Sequence, residues 1–510
     1  MRTENSIKNM YMSIFAQIII ILLGFISRRI FLRSLGTEYL GINGLLTNVL
    51  SMLSLVEGGI GTSIIYNLYK PLAEDNKPKI IALVQLYKKL YGILAIVIII
   101  LSICLYPFLN IFIKGGTSIS FLGLVYFIFV MKNVISYLNA HKWSLINADQ
   151  KGYILVKYNI TFNIITTVCK IIILKFTENY ILYLLIEFFI MIIQNLWNGK
   201  VVNENYPYIK TNKKYKVDDT TRENLVINVK SIFLHNIGTY CVFGTDNLLI
   251  SSLISLKTVG LYSNYTLIIS QLSSLLTPIL NGIGASVGNL LATERKEKCY
   301  EIFKVTYFIN FWIYSVCTIT LYNLIEPFIE WIFGKELLLN KFSLILILCN
   351  FYLTGLRTTI NIFKNKGGIF APDRYLPLLE AVINLVSSII LAKYLGLAGI
   401  FLGTTISTIS IPIWVQSKLV YNILFNKSVF EYFKKYIIYL SLTLLFGVIS
   451  VKLCSLVTLS NVFMALIVRG IICVGIPSVA YIVLFFNTKE FKYLISLLKP
   501  IMRKFYFVYK

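Results

Sequence analysis

Three basic residues stand where hydrocarbon is expected. Arg28 ends an apolar run that opens near Met10, Lys132 lies within FVMKNV, and Arg357 within LTGLRTT. A cation at the centre of a membrane span costs about 3 kcal/mol or more, so each should face protein or a water-filled cavity. There it can hold an anion or close an ion pair. Gln17, Gly24 and Arg28 are spaced i, i+7, i+11, within about 20° of one another on a helix. Arg33 lies at the interface and can snorkel, Arg29 on the same face can do likewise, and for Arg28 snorkelling is the alternative to a place in a cavity.

Other runs carry polar stripes of the same kind. One sets Gly44, Thr47, Ser51, Ser54, Gly58 and Gly61 at steps of three and four, with Glu57 at the edge of that small-residue seam. A second aligns Asn228, His235, Thr239 and Asp246, and a third Asn264, Gln271, Ser274, Pro278 and Asn281. Asn350, Thr354, Arg357 and Asn361 form a fourth, answered by Lys132, Ser136 and Asn139. Any one stripe reads as an interhelical hydrogen-bond seam. Several together, with ionisable members, describe a polar path. No nucleophile–base constellation or phosphate-cradling loop accompanies them; Gly115-Gly116 and Gly367-Gly368 are turn signals. His141 and His235 are too few and too far apart for a His-based metal site.

The elements that must position these residues are membrane spans. The 510-residue chain is 57% hydrophobic and 14% charged, with a mean hydropathy of +0.75, the balance of a polytopic all-α membrane protein. About fourteen runs reach the roughly 20 residues a span needs. They fall near 10–32, 40–65, 82–105, 119–140, 153–174, 180–200, 224–250, 259–292, 303–325, 342–363, 376–395, 398–420, 436–457 and 462–486. The shortest connections are 174–180 and 395–398. The first run leads into arginines and lacks a small-residue cleavage pattern, so it reads as a span rather than a signal peptide.

A net charge of +25 could suggest nucleic acid, but its distribution excludes that partner. With the N-terminus in the cytoplasm, and residues towards the span ends counted with the loop they adjoin, about 33 of the Lys and Arg fall in cytoplasmic tails and loops, about 8 outside and about 7 within spans. This is a topology signal with anionic membrane lipids as the contact, and both termini should be cytoplasmic. The eight cysteines lack CxxC spacing, lie mostly within apolar runs and read as buried thiols. Glu326, Glu330 and Glu336 read as a solvated outer surface.

The chain also reads as duplicated. RSLGTEYLGINGLLTN at 33–48 parallels SSLISLKTVGLYSNYT at 251–266, aligning Leu35 with Ile254 and Gly41 with Gly260. Six spans on either side of a cytoplasmic linker make a parallel repeat with its axis along the membrane normal. The expected organisation is an N-terminal lobe at 1–202, the linker at 203–223, a C-terminal lobe at 224–425, and two extra helices with a basic tail at 426–510. Two such lobes around a cleft are the architecture of an alternating-access transporter.

Four segments carry a family resemblance: LSLVEGGIGTSIIYNLYKPLAEDNKPKI at 53–80, TDNLLISSLISLKTVGLYSNYTLIISQL at 245–272, SVGNLLA at 286–292, and the block from Gly355 to Ser407 that contains GIFAPDRY. In these the chain resembles the oligosaccharide-lipid flippases of the multidrug/oligosaccharidyl-lipid/polysaccharide exporter superfamily. The resemblance implies a short glycan on polyprenyl pyrophosphate, flipped outward across the bacterial cytoplasmic membrane for capsule, O-antigen or exopolysaccharide synthesis, with polysaccharide polymerase machinery as a partner. Arg28, Lys132 and Arg357 would then meet the pyrophosphate, since arginine forks suit phosphate oxygens. Amides and hydroxyls on spans 1, 2, 7 and 8, among them Gln17, Asn264 and Gln271, with Asn361 on span 10, would complete the cavity for pyrophosphate and glycan.

Glu57, Asp246 and His235 are the charge-pairing or ion-coupling residues. Asp246 either pairs with Arg28 or takes up a proton or sodium ion; no other cofactor is expected. The alternatives are a cation-coupled drug antiporter or a lipid II-type flippase of the same superfamily. From another class comes a membrane glycan polymerase or glycosyltransferase, which the short outer loops disfavour. Topology is directly testable: in a cysteine-free background, cysteines at Lys213 and Lys257 should label from opposite faces of the membrane. Labelling of both from outside would exclude the fourteen-span arrangement.

Overall fold

The computed structural model describes residues 2–58, 60–113, 121–149, 151–219, 221–223, 229, 237–238, 240, 244–369, 372–373 and 375–496. Every regular element among them is helical. Ten described helices are long and apolar enough to cross a membrane, and a bent pair makes an eleventh. The expected run at 224–250 falls mostly outside the described residues.

Contacts divide the chain into two compact units, Met1–Gln271 and Leu272–Lys510. The first begins with α1 (Arg2–Leu35), a helix of 34 residues, and α2 (Thr37–Leu53). The seam read from sequence as one span is broken here. The hydroxyls of Ser51 and Ser54 donate to the carbonyls of Thr47 and Leu50 four residues back, a pattern that bends helices. A 3₁₀ turn over Ser54–Glu57 follows, and Gly58 takes φ +60°, a left-handed conformation that suits glycine. The chain resumes as α3 (Ile60–Ala73) and α4 (Lys77–Leu105).

A second break comes between α5 (Leu122–Leu138) and α6 (Ala140–Ala148), which meet at 47°. Asn139 sits in the bend and donates to Asn195 Oδ1 at 2.5 Å, tying the kink to α8 (Tyr180–Asn205). Between α7 (Tyr153–Thr177) and α8, the sharp connection expected near 174–180 is present. There the Asn179 side chain caps α8 by accepting from the amides of Ile181 and Leu182. Then α9 (Asp246–Leu253) leads into α10 (Leu256–Thr293), which continues past the boundary between units.

The segments aligned as repeats meet in a reciprocal contact. A Cβ added to Gly41 would lie 2.1 Å from the carbonyl oxygen of Leu256, and one added to Gly260 would lie 2.2 Å from that of Thr37. Each glycine is four residues after the partner of the other, so backbone presses on backbone in both directions.

The second unit holds α11 (Lys296–Ile332), α12 (Lys341–Lys366), α13 (Leu376–Leu395), α14 (Leu397–Ser410), α15 (Pro412–Val420), α16 (Phe430–Ser455) and α17 (Val462–Phe485). The short turn expected at 395–398 is made by Gly396 at φ +57°. The C-terminal pair α16–α17 is bound to α11 by the stacked rings of Phe311 and Tyr439, 4.0 Å apart. A hydroxyl chain reinforces it: Tyr481 with Ser315 at 2.6 Å, Thr443 to Ser315 at 2.8 Å, and Tyr352 with Thr443 at 2.9 Å.

Because nothing but hydrogen fits at the crossing, Gly41→Ala and Gly260→Ala should each destabilise the protein by about 1–3 kcal/mol, the usual cost of overpacking. Thermal unfolding in detergent measures this. The double variant should lose less than the sum, since either methyl already parts the same helices.

Candidate functional site

The intramembrane charges of the first unit converge on α1, α5, α7 and α8. Lys132 on α5 and Lys170 on α7 both reach Glu187 on α8, at 2.6 Å and 2.9 Å. Lys170 also lies over the ring of Tyr183, 4.3 Å from its centroid. These three side chains and Arg28 line one cavity of about 380 Å³, together with Asn43, Thr47 and Tyr183. Three cations face one carboxylate there, so the cavity is positive.

Arg28 itself is held by neutral groups. Its Nε donates to Asn264 Oδ1 at 2.9 Å and its Nη2 to Ser263 Oγ at 2.5 Å. Among the described residues no carboxylate pairs with it, and its charge is therefore not cancelled locally. Further along the same stripe, Gln17 Nε2 donates to Gln271 Oε1 at 2.7 Å. The stripes read on the first and eighth runs thus face each other in the folded unit, with Gln17, Arg28, Asn264 and Gln271 all placed on that contact.

A second cavity of about 530 Å³ adjoins the first, sharing Arg28, Leu40, Asn43, Thr47 and Leu267 with it. Asp246 and Asn247 lie on its wall. Asp246 accepts from the Tyr262 hydroxyl at 3.2 Å, while its other oxygen is buried without a hydrogen-bond partner. The pairing with Arg28 considered from sequence is not formed: each residue has its own partners. Glu57 is elsewhere, at the break after α2, accepting from the Tyr91 hydroxyl. His235 lies outside the described residues.

Arg357 and Asn361 belong to the second unit. Arg357 makes a two-pronged pair with Glu380 at 2.7 Å and 2.9 Å, and its Nε donates to Gln416 at 2.8 Å. Asn361, one turn further along α12, is half-buried. A neighbouring pair, Lys364 with Asp373, is also buried.

Sequence stripes missed Lys170 and Glu187. Both were visible as single ionisable residues in the apolar runs TTVCKIIIL and LLIEFFI, which is itself a sign of function in a span. Each also ends a polar stripe, Asn159, Asn163, Thr167 and Lys170 on α7 and Glu187, Gln194 and Asn198 on α8, so helical spacing could have found both.

No family profile and no curated protein sequence matches the chain. Solved structures do. The lipid II flippase MurJ in an inward closed conformation superposes with a TM-score of 0.62 at 14% identity, covering 94% of this chain and 99% of that one. An inward-facing multidrug resistance MATE family transporter of the MOP superfamily gives 0.60 at 13% identity, over 78% and 94% of the two chains. A MOP superfamily transporter from Pyrococcus furiosus gives 0.54 at 10% identity, over 84% and 97%. The matched proteins are a lipid II flippase and transporters of the MOP superfamily, and this chain has the fold they share.

Proposed function

We propose that the chain is an alternating-access flippase that carries a polyprenyl-pyrophosphate-linked oligosaccharide from the inner to the outer leaflet of the bacterial cytoplasmic membrane, both termini being cytoplasmic. The observation that supports this reading is the positive cavity of the first unit, where Arg28, Lys132 and Lys170 face the single carboxylate of Glu187. A pyrophosphate diester carries one negative charge on each phosphate at neutral pH and cannot cross hydrocarbon without cationic partners. Arg28 can give it donors now spent on neutral groups, and Lys132 and Lys170 can turn to it from Glu187.

A cavity for cationic drugs needs the opposite sign. For the Pyrococcus furiosus transporter, reverse polarity of the binding pocket is the feature taken to suggest a different function. Asp246, with a buried oxygen open to a ligand, serves this reading as the residue that takes up a coupling proton or sodium ion.

The test is transbilayer movement of a fluorescent polyprenyl-pyrophosphate glycan in liposomes containing the purified protein. Arg28→Ala and Lys170→Ala should each slow flipping at least tenfold while the protein still inserts and folds. Normal flipping in both would overturn the reading. Arg357 behaves differently. Removing it strands the Glu380 side chain, 5% exposed, and breaking such a buried pair costs about 3–5 kcal/mol. Arg357→Ala should therefore lower the thermal midpoint, and Arg357→Met with Glu380→Leu should recover it. A stable Arg357→Ala protein that fails to flip would instead make Arg357 a substrate ligand.

A further inference from the structure

A third cavity of the first unit carries no charge on its walls. It measures about 780 Å³ and is bordered by α1, α5, α6, α7 and α8, well within the roughly 300–1,000 Å³ of small-molecule sites. No ionisable side chain lines it. Its polar wall is amide: Asn159 and Asn163 on α7, Gln194, Asn195 and Asn198 on α8, with the indole of Trp143 on α6. Ile20 and Asn163 line this cavity and the positive cavity alike, so the two are neighbours across a shared wall.

We infer that this amide-lined cavity is the subsite for the first neutral sugars of the glycan, entered while the pyrophosphate occupies the positive cavity next to it. A carboxamide offers both a donor and an acceptor, as a sugar hydroxyl does, and one amide can bridge two vicinal hydroxyls. An anionic group would find no counter-charge on this wall, and a hydrocarbon tail would leave its amides dry. The flat face of Trp143 suits the C–H face of a pyranose ring.

A seam of amides satisfied by one another would need no ligand, and part of the wall is such a seam. Gln194 and Asn198 both donate to Asn159 Oδ1, at 2.9 Å and 2.8 Å. That arrangement spends two donors on one oxygen and leaves an acceptor over. Asn198 is only 5% exposed, yet its Oδ1 is buried with no hydrogen-bond partner. A buried acceptor of this kind costs about 1–3 kcal/mol if nothing fills it. A hydroxyl donor supplied by the substrate would satisfy it. On the expected topology the cavity lies towards the cytoplasmic ends of α5, α7 and α8, the side on which the lipid-linked glycan is built.

The inference rests on the flippase reading, and the experiment separates the two. The full-length protein in nanodiscs is titrated with two lipids of equal charge: a bare polyprenyl pyrophosphate closed as its methyl diester, and the same lipid bearing a neutral N-acetylhexosamine–hexose disaccharide in place of the methyl group. The wild type should bind the glycosylated lipid at least tenfold more tightly. Asn198→Ala should bring that ratio close to one and leave affinity for the bare lipid unchanged. Trp143→Leu should do the same, and it provides the readout if Asn198→Ala fails to fold. Arg28→Ala should weaken both lipids equally. Equal binding of the two lipids by the wild type, or an unchanged ratio in the variants, overturns the sugar subsite and leaves the flippase reading intact. Binding of neither lipid overturns both.

Discussion

A charge in hydrocarbon must be met by an opposite charge, by dipoles or by water, and each intramembrane ion of this protein resolves that demand in its own way. In the second unit two cations are matched by carboxylates. Arg357 is matched oxygen for nitrogen by Glu380, and Lys364 by Asp373. Such pairs seldom add stability beyond what apolar packing would give, but they are severe to break. In the first unit the resolution is deliberately incomplete: two lysines share one glutamate, and Arg28 is left with an amide and a hydroxyl. That residual charge sets the chemistry of the cavity around it.

The cavities of the first unit form a graded series because they share walls. Ile20 and Asn163 join the amide-lined space to the positive one, and Arg28 joins the positive one to the space that Asp246 borders. Broken helices give this series its room. Hydroxyls bent back at Ser51 and Ser54, and the kink held by Asn139, turn backbone away from the straight paths that close packing would favour.

Much of this was legible from residue spacing, for a physical reason. Helical periodicity reports which side chains share a face, and Gln17, Arg28, Asn264 and Gln271 obey it so closely that their mutual contacts follow. Lys170 and Glu187 obey the same periodicity, each on a stripe with asparagines of its own helix, and that signal went unread. Periodicity is blind, though, to partner choice. Arg28 and Arg357 looked alike in sequence, yet one meets neutral groups and the other a carboxylate, because Glu380 lies on a different helix, 23 residues further along the chain. The break at Ser54–Gly58 was hidden inside a seam of small residues whose spacing fits an unbroken helix just as well.

The crossing of Gly41 on Leu256 and Gly260 on Thr37 has a consequence for heredity. Contact of i with j matched by contact of j with i is the signature of a two-fold interface between identical copies. In a dimer, one codon change would alter both sides of that interface at once, and compensation would arrive with the mutation. Once the copies are fused in a single gene, the two sides are written separately. A larger residue at either glycine then meets an unchanged backbone opposite, so each is held in place by a partner that cannot change in step with it.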